Sequence, residues 1–168
     1  STMKKIIILT IIFAGLSSLK SQVGMGKPSV DGDAILDFPL SNTGIILPIV
    51  EALPTGAAAS NGTFLVDKTD LTIKMRSNDL WVPLSDAGSL TGTMPNTSAE
   101  QGGGVIIGAA SSPAQGILVL EASNKALVLP KVNDPVASMK SPVAGTICYD
   151  TVSKTMAVFD GLKWSFWK

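Results

Sequence analysis

The sequence contains no histidine and only one cysteine among its 168 residues. The lack of histidine excludes Ser-His-Asp catalysis, Cys-His catalysis and histidine metal sites. A single cysteine excludes an intramolecular disulfide and a cysteine-based zinc site. The 13 basic and 13 acidic residues balance, which argues against a nucleic-acid partner because such a partner needs a basic face. We therefore expect no catalytic residue, no metal and no cofactor.

A short apolar run follows two lysines near the N-terminus. Lys4 and Lys5 precede the apolar residues 6–16, and small serines follow up to Ser21. This order is typical of a secretory signal peptide, and the run is shorter than the roughly 20 residues of a transmembrane helix. We predict that residues 1–21 are removed, that the mature chain has no membrane span, and that the protein is secreted or on the cell surface, with the periplasm as the alternative.

The remainder of the chain contains an internal repeat. Residues 35–50 align with residues 117–132 at an offset of 82, and the alignment resumes further along at an offset of 83. Such order-preserving similarity is the signature of duplicated structural units. The identical pairs include Ile35/Ile117, Leu36/Leu118, Pro48/Pro130 and Val50/Val132 at the first offset, and Gly62/Gly145, Thr63/Thr146, Asp67/Asp150, Thr72/Thr155 and Trp81/Trp164 at the second.

Each copy has the pattern of β-strands. Residues 71–75 alternate apolar and polar side chains with period two, which indicates a half-buried strand, and Asp160-Gly161 indicates a tight hairpin. Residues 85–104 are rich in glycine, serine and threonine and form the predicted linker. We predict an all-β protein of two tandem β-meander modules, residues 22–84 and 105–168, on either side of that linker.

Modules of this size are poor independent folders. A domain of about 60 residues buries only about 60% of its chain surface. This chain has few aromatic residues and no disulfide or metal to compensate. The remaining source of stability is association of copy with copy or chain with chain. We therefore expect a homo-oligomer.

Several segments together match a known repeat pattern. Residues 23–26 read VGMG, 34–38 AILDF, 44–48 GIILP, 123–132 SNKALVLPKV, 141–151 SPVAGTICYDT and 159–164 FDGLKW. In this order they resemble the tandem β-rich repeat of secreted and surface proteins of Bacteroidetes, which also occurs in phage-tail-fibre-like proteins. The second copy matches better, since Ile49 follows Pro48 where the pattern has a basic residue. The resemblance implies a fibre-like surface protein, suggests a homotrimer and implies no catalytic residue.

A few side chains are candidates for ligand contact or modification. Trp81, Trp164 and Trp167 lie at the ends of the two meanders, where they either stack on sugar rings or fill a core or interface. Thr151, in an Asp-Thr-Val triplet, resembles an acceptor for periplasmic O-glycosylation in Bacteroidetes. The aspartates of the predicted turns, Asp67 and Asp150, are expected to bond their own backbone rather than act in catalysis.

These observations favour an exported, non-catalytic structural or adhesin-like surface protein, a homo-oligomeric fibre component. Its expected partners are copies of itself, cell-surface proteins and glycans. The alternative is a soluble carbohydrate-binding module that uses the three tryptophans.

Overall fold

The computed structural model describes residues 22–93 and 102–168. The predicted signal peptide and residues 94–101 of the predicted linker lie outside this part. The described residues form mostly short β-strands with two helical turns, which confirms the all-β prediction. They include no helix that is long and apolar enough to cross a membrane.

The strands fall into two sets in chain order, which we call the first and second strand sets. The first set is β1 Val23–Gly24, β2 Ala34–Asp37, β3 Ile45–Ile46, β4 Ile49–Val50, β5 Phe64–Asp67, β6 Thr72–Ser77 and β7 Leu80–Pro83, with a 3-10 helix at Gly56–Ala59. The second set is β8 Val105–Ile107, β9 Leu118–Leu120, β10 Ala126–Leu127, β11 Lys131–Val132, β12 Thr146–Asp150, β13 Thr155–Phe159 and β14 Trp164–Trp167, with the short helix α1 at Pro135–Ser138.

Each set contains a four-stranded sheet with the same connectivity. In the order β4-β5-β6-β7 the first pair is parallel and the next two are antiparallel, and β11-β12-β13-β14 repeats this arrangement. Asp67 lies opposite Val50 in the first sheet, and Asp150 lies opposite Val132 in the second. Residues that the sequence aligns at offsets of 82 and 83 therefore occupy matching register positions.

The turns that join the central hairpins are also alike. Leu71 and Lys154 both have a left-handed backbone, with φ of 60° and 58°. The N–H of each donates to the carbonyl of the aspartate that ends the preceding strand, Asp67 or Asp150, over 2.9 Å. A non-glycine residue with positive φ is uncommon, so its presence at both equivalent positions reflects one turn type used twice.

Strands of the two sets pair with each other. The short strand β3 adds to the edge of β12, with Ile45 opposite Ile147, and β10 adds in parallel to β2, with Leu127 opposite Leu36. The sequence pattern did not predict these pairings, because it identifies strands without identifying their neighbours. A parallel sheet of β1, β2 and β10 and an extended sheet of five strands result.

One apolar core is common to both sets. Val66 and Ile73 of the first sheet form a buried cluster with Ile147 and Val158 of the second, and Leu84 completes it. Burial of large apolar side chains is the main favourable contribution to folding, about 1.5–3 kcal/mol for each such side chain. The two four-stranded sheets therefore stabilise each other.

The start of the predicted linker packs against both sets. The N–H of Gly88 donates to the Leu71 carbonyl over 2.9 Å, and the N–H of Ser89 donates to the Asp160 carbonyl over 2.8 Å. A side chain at Gly88 would place its Cβ 1.9 Å from the Asp160 carbonyl oxygen, so glycine alone fits there. Residues 88–89 therefore hold the turn between β13 and β14 beside the first sheet.

The last strand anchors two tryptophans in different ways. Trp164 packs against a second buried cluster that contains Val132, Met139, Cys148 and Ala157. Trp167 is partly exposed, and its indole Nε1 donates to the carbonyl of Leu84 over 2.5 Å. Trp164 therefore contributes apolar contact area, whereas Trp167 also satisfies a backbone carbonyl of the first set.

Truncation of these aromatic residues should affect stability unequally. Trp164→Ala is expected to lower the free energy of unfolding by about 3 kcal/mol, because it leaves a cavity beside a buried cluster. Trp167→Ala should cost about 1–2 kcal/mol through the lost hydrogen bond. The exposed Phe166→Ala, at about 0.5 kcal/mol, is the control. Urea denaturation of the three variants measures the order, and equal losses for Trp164→Ala and Phe166→Ala would contradict it.

Candidate functional site

The tryptophans proposed for ligand contact do not stand in one array. Trp81 lies opposite Arg76 and Trp164 lies opposite Phe159, at the same register position of the two sheets. The Arg76 guanidinium carbon is 5.5 Å from the centroid of the Trp81 ring, and the Phe159 ring lies 5.3 Å from the Trp164 ring at 45°. Each ring thus already has a cation–π or aromatic partner from the preceding strand.

Trp167 is the most exposed of the three tryptophans, and Phe166 beside it is also exposed. Successive residues of a strand point to opposite faces of the sheet, so these two rings do not form one flat platform. The hydrogen bond from the Trp167 indole to Leu84 further fixes its ring against the first set.

Thr151 lies in the turn after β12 and is half-buried. Its N–H donates to the Val132 carbonyl over 2.9 Å, and its hydroxyl Oγ1 donates to the same carbonyl over 3.3 Å. A glycan attached to this oxygen replaces the hydroxyl proton, so the longer of the two hydrogen bonds is lost. Glycosylation of Thr151 stays a prediction from its sequence context.

The turn aspartates bond their own backbone, as the sequence indicates. Asp67 Oδ1 accepts from the N–H of Thr69 over 2.8 Å. Asp150 Oδ1 accepts from the N–H of Val152 over 2.9 Å, and its Oδ2 accepts from the N–H of Ser153 over 3.1 Å. These carboxylates are nearly inaccessible to solvent, so their oxygens serve the turns.

Burial and hydrogen bonding act in opposite directions on Asp150. Burial raises the pKa of its carboxyl, but the hydrogen bonds from Ser153, Val152 and Asp134 outweigh burial and hold the pKa below its ordinary value. A carboxyl whose pKa is lower in the folded state stabilises the fold above its unfolded pKa, and this contribution is lost as the pH falls through the folded pKa. The loss therefore begins below about pH 4.

The first set carries a buried ion pair that the second set lacks. Lys74 Nζ lies 2.6 Å from Asp67 Oδ2 and 2.6 Å from Asp70 Oδ2, and the lysine side chain is only 11% exposed. Burial lowers the pKa of Lys74, but its hydrogen bonds to Asp67 and Asp70 raise it above the ordinary value overall. Ala157 stands at the matching position of β13. Sequence reasoning missed this pair, although a lysine within an alternating strand was a signal for it.

The single cysteine is an internal packing residue. Cys148 is fully buried in β12, as its apolar sequence surroundings indicate. Burial, with a smaller contribution from the charge of Asp150, raises the pKa of the Cys148 thiol to about 11. The thiolate, which is the nucleophile, is therefore scarce at neutral pH.

An open groove of about 510 Å³ lies between the two strand sets. Its walls come from residues 42–44 and Ile46 on the side of the first set and from residues 138–143 and Thr146 on the side of the second, and they include the exposed Ile46 and Val143. The Ser138 Oγ is buried without a hydrogen-bond partner in the described part of the chain. None of the three tryptophans lines this groove, so a platform for sugar stacking does not coincide with the cavity.

Residues 22–93 and 102–168 contain no cluster of side chains suited to bind a metal ion. No group of three or more cysteine, aspartate or glutamate side chains converges there in a way that could hold an ion. The fully buried Asp37, in β2, instead forms an ion pair in which its Oδ2 lies 2.6 Å from Lys27 Nζ. Its oxygens also accept from the N–H groups of Asp31 and Phe38.

Comparison with family models, curated proteins and solved structures finds no match for this chain. Its function must therefore be inferred from its own residues.

Replacing the Asp150 carboxylate should destabilise the protein in a pH-dependent way. Asp150→Asn keeps one acceptor oxygen but points an amide donor at the Ser153 N–H, so we expect a loss of about 1–3 kcal/mol at pH 7. The difference from wild type should shrink below about pH 4, where the wild-type carboxylate also becomes protonated. Denaturation curves from pH 7 to pH 3 measure this, with the exposed Asp33→Asn as control. A constant difference at every pH would contradict the assignment.

The Cys148 thiol should be inert in the folded protein. At pH 8 we expect its reaction with a thiol reagent to be slower than in the unfolded chain by on the order of 100-fold or more, because of its raised pKa and burial. Absorbance from the released aryl thiolate, followed with and without denaturant, gives both rates. Rapid labelling of the native protein would show that β12 opens easily.

Proposed function

We propose that the protein is an exported, non-catalytic structural or adhesin-like surface protein that assembles as a homo-oligomer, a fibre-like trimer, from two tandem β-meander modules. The observation that carries the proposal is that the two strand sets have matching sheets and complete one another by exchanging β3 and β10. Units that are finished by a strand from their neighbour are suited to assembly.

The use of polar side chains supports a structural role. The buried carboxylates of Asp37, Asp67 and Asp150 are held by lysines or backbone N–H groups of the same chain. The Cys148 thiol is protonated and enclosed. Catalysis requires a nucleophile or an acid–base group within reach of a substrate, and these groups are committed to turns and core.

Location at the surface is supported by the N-terminal segment. The lysines, the apolar run and the small residues up to Ser21 have the order of a secretory signal. The resemblance to the repeat of Bacteroidetes surface proteins and tail-fibre-like proteins supports the same location and the trimeric form. Cell-surface proteins and glycans are the proposed external partners.

The carbohydrate-binding alternative has weaker support. Trp81 and Trp164 have their rings against Arg76 and Phe159, and the open groove is lined without them. Trp167 is the one tryptophan with a large exposed area, and a single ring seldom suffices to bind an oligosaccharide without neighbouring polar groups in a pocket.

The test uses protein expressed with its own N-terminal segment in a Gram-negative host. We expect the product in the periplasmic or external fraction, with a mass by light scattering of three chains and with any binding on a glycan array unchanged by Trp167→Ala. A monomer that binds a glycan, and loses that binding in Trp167→Ala, would replace the structural proposal with the carbohydrate-binding one. Retention in the cytoplasm would contradict export.

A further inference from the structure

The contact between the two strand sets includes two different strand pairings. Strand β3 of the first set adds to β12 of the second, and β10 of the second set adds to β2 of the first. By sequence alignment β10 corresponds to β3, β9 to β2 and β12 to β5. The corresponding strands β3 and β10 therefore pair with different partners. Strand β3 adds antiparallel to β12, whereas β10 adds parallel to β2. Such a contact is heterologous, because the two participants contribute different surfaces.

The second set has an exposed counterpart of the surface that β10 covers on the first. Ile35 and Leu36 in β2 are each 1% exposed, whereas the identical residues at the matching positions, Ile117 and Leu118, are 73% and 41% exposed. Among the described residues β9 pairs with β8 alone. Identical residues at matching positions thus differ in burial, because β10 pairs with the edge of β2 and Gly108 lies against the Ile35 side chain, whereas Ile117 and Leu118 have no such cover among the described residues.

The first set has the complementary exposed surface at the start of β5. Gly145 and Thr146 are buried under the end of β3, whereas their counterparts Gly62 and Thr63 are exposed and half-buried. A Cβ at Gly145 would lie 3.3 Å from the Leu47 carbonyl oxygen, but a Cβ at Gly62 would meet nothing within 4 Å. In the described part of the chain, no strand occupies the place beside Gly62 that β3 occupies beside Gly145.

We propose that a second copy of this chain docks on these edges, with its β3 along β9 and the start of its β5 along β10. The proposal rests on the proposed homo-oligomer and names its interface. The internal register, carried over, places Ile45 of the second chain opposite Leu118, and Thr63 of the second chain opposite Val128. The added strands bury Ile117 and Leu118 and satisfy the edge N–H and carbonyl groups.

The second chain occupies these edges because each chain carries both halves of the contact. Within the chain, β2 pairs with β10 and β3 pairs with β12. By sequence alignment β9 and β10 are the counterparts of β2 and β3, and β3 and β5 are the counterparts of β10 and β12, so the same two pairings are available between chains. Repeated heterologous contacts either close into a ring or continue as a filament. The trimeric form requires closure after three chains.

The two copies of the repeat differ at one position of this contact. The difference makes the proposed contact between chains less close than the internal one. Gly44 precedes β3, and a Cβ there would lie 2.6 Å from Thr146 Cγ2 and 2.7 Å from the Ile147 carbonyl oxygen. Ala126 stands at the position that matches Gly44 and carries that Cβ. The strands of two chains must therefore separate by a few tenths of an ångström, and Ala126→Gly should tighten the association.

A first experiment measures mass against concentration by light scattering, with thermal melts to verify folding. Leu118→Lys should raise the concentration at which the oligomer dissociates by on the order of tenfold or more. Leu162→Lys changes an exposed leucine in the β13–β14 turn, away from both edges, and should behave like wild type. Ala126→Gly should lower the dissociation concentration, an effect that general destabilisation does not produce.

A second experiment tests the register and the heterologous character. Thr63 and Val128 are expected at the closer, non-hydrogen-bonded type of pair, as their counterparts Thr146 and Ile46 are, and such pairs suit a disulfide. Chains with Thr63→Cys co-expressed with chains with Val128→Cys should give a covalent dimer on oxidation, whereas each variant alone should not. Cys148 is buried and does not take part.

The outcomes separate the two proposals. A wild-type oligomer that is insensitive to Leu118→Lys, or a Val128→Cys chain that links to itself, overturns this interface and leaves the homo-oligomer standing. A monomeric wild type at micromolar concentration overturns both the interface and the homo-oligomer. It shows that β9 is open or covered by the rest of its own chain. A covalent dimer only in the mixture, together with weaker association of Leu118→Lys, supports the interface.

Discussion

The apolar contact between the two hairpin sheets holds the described part of the chain together. Val66 and Ile73 meet Ile147 and Val158 in one buried cluster. A single small sheet with one apolar face buries too little surface to be stable alone. The pairing of β3 with β12, the pairing of β10 with β2 and the path of residues 84–90 all bring the two apolar faces together. They therefore follow from the need of each sheet to cover its apolar face. The aspartate-bonded turns set the geometry of each hairpin, and the core sets how the hairpins combine.

The two strand sets show how the same residues take different roles in different surroundings. Ile35 and Ile117 are identical and occupy matching positions of the repeat, but one is enclosed and the other is largely exposed. Lys74 is held by two aspartates in the first sheet, whereas Ala157 at the matching place packs beside Cys148 in the second buried cluster. Burial in this protein depends on the neighbouring strand set as much as on the residue itself.

The same asymmetry connects the fold with the proposed function. The internal contact between the two sets covers Ile35, Leu36 and Gly145 but leaves their counterparts Ile117, Leu118 and Gly62 exposed. Among the described residues, the buried groups Asp67, Lys74 and Asp150 are used for turns and an ion pair within the chain. Among the described residues, the exposed Ile117 and Leu118 at the start of β9 and the exposed Gly62 just before β5 are the surfaces on which the proposed assembly depends.

Much of the local structure could be predicted from the sequence. The period-two pattern located the hairpin strands, and Asp160-Gly161 marked the last turn. The turn role of Asp67 and Asp150 also followed from residue type. These features depend on a few neighbouring residues, whose conformational preferences are intrinsic to the sequence.

The tertiary structure alone decided which strands lie side by side. An alternating pattern specifies an apolar face, but edge hydrogen bonds join backbone groups that every residue carries, so the pattern does not name the partner strand. The addition of β3 to β12, the bond from Trp167 to Leu84 and the exposure of Ile117 beside the burial of Ile35 are all of this kind. They result from long-range packing, because a strand is buried only when another part of the fold covers it.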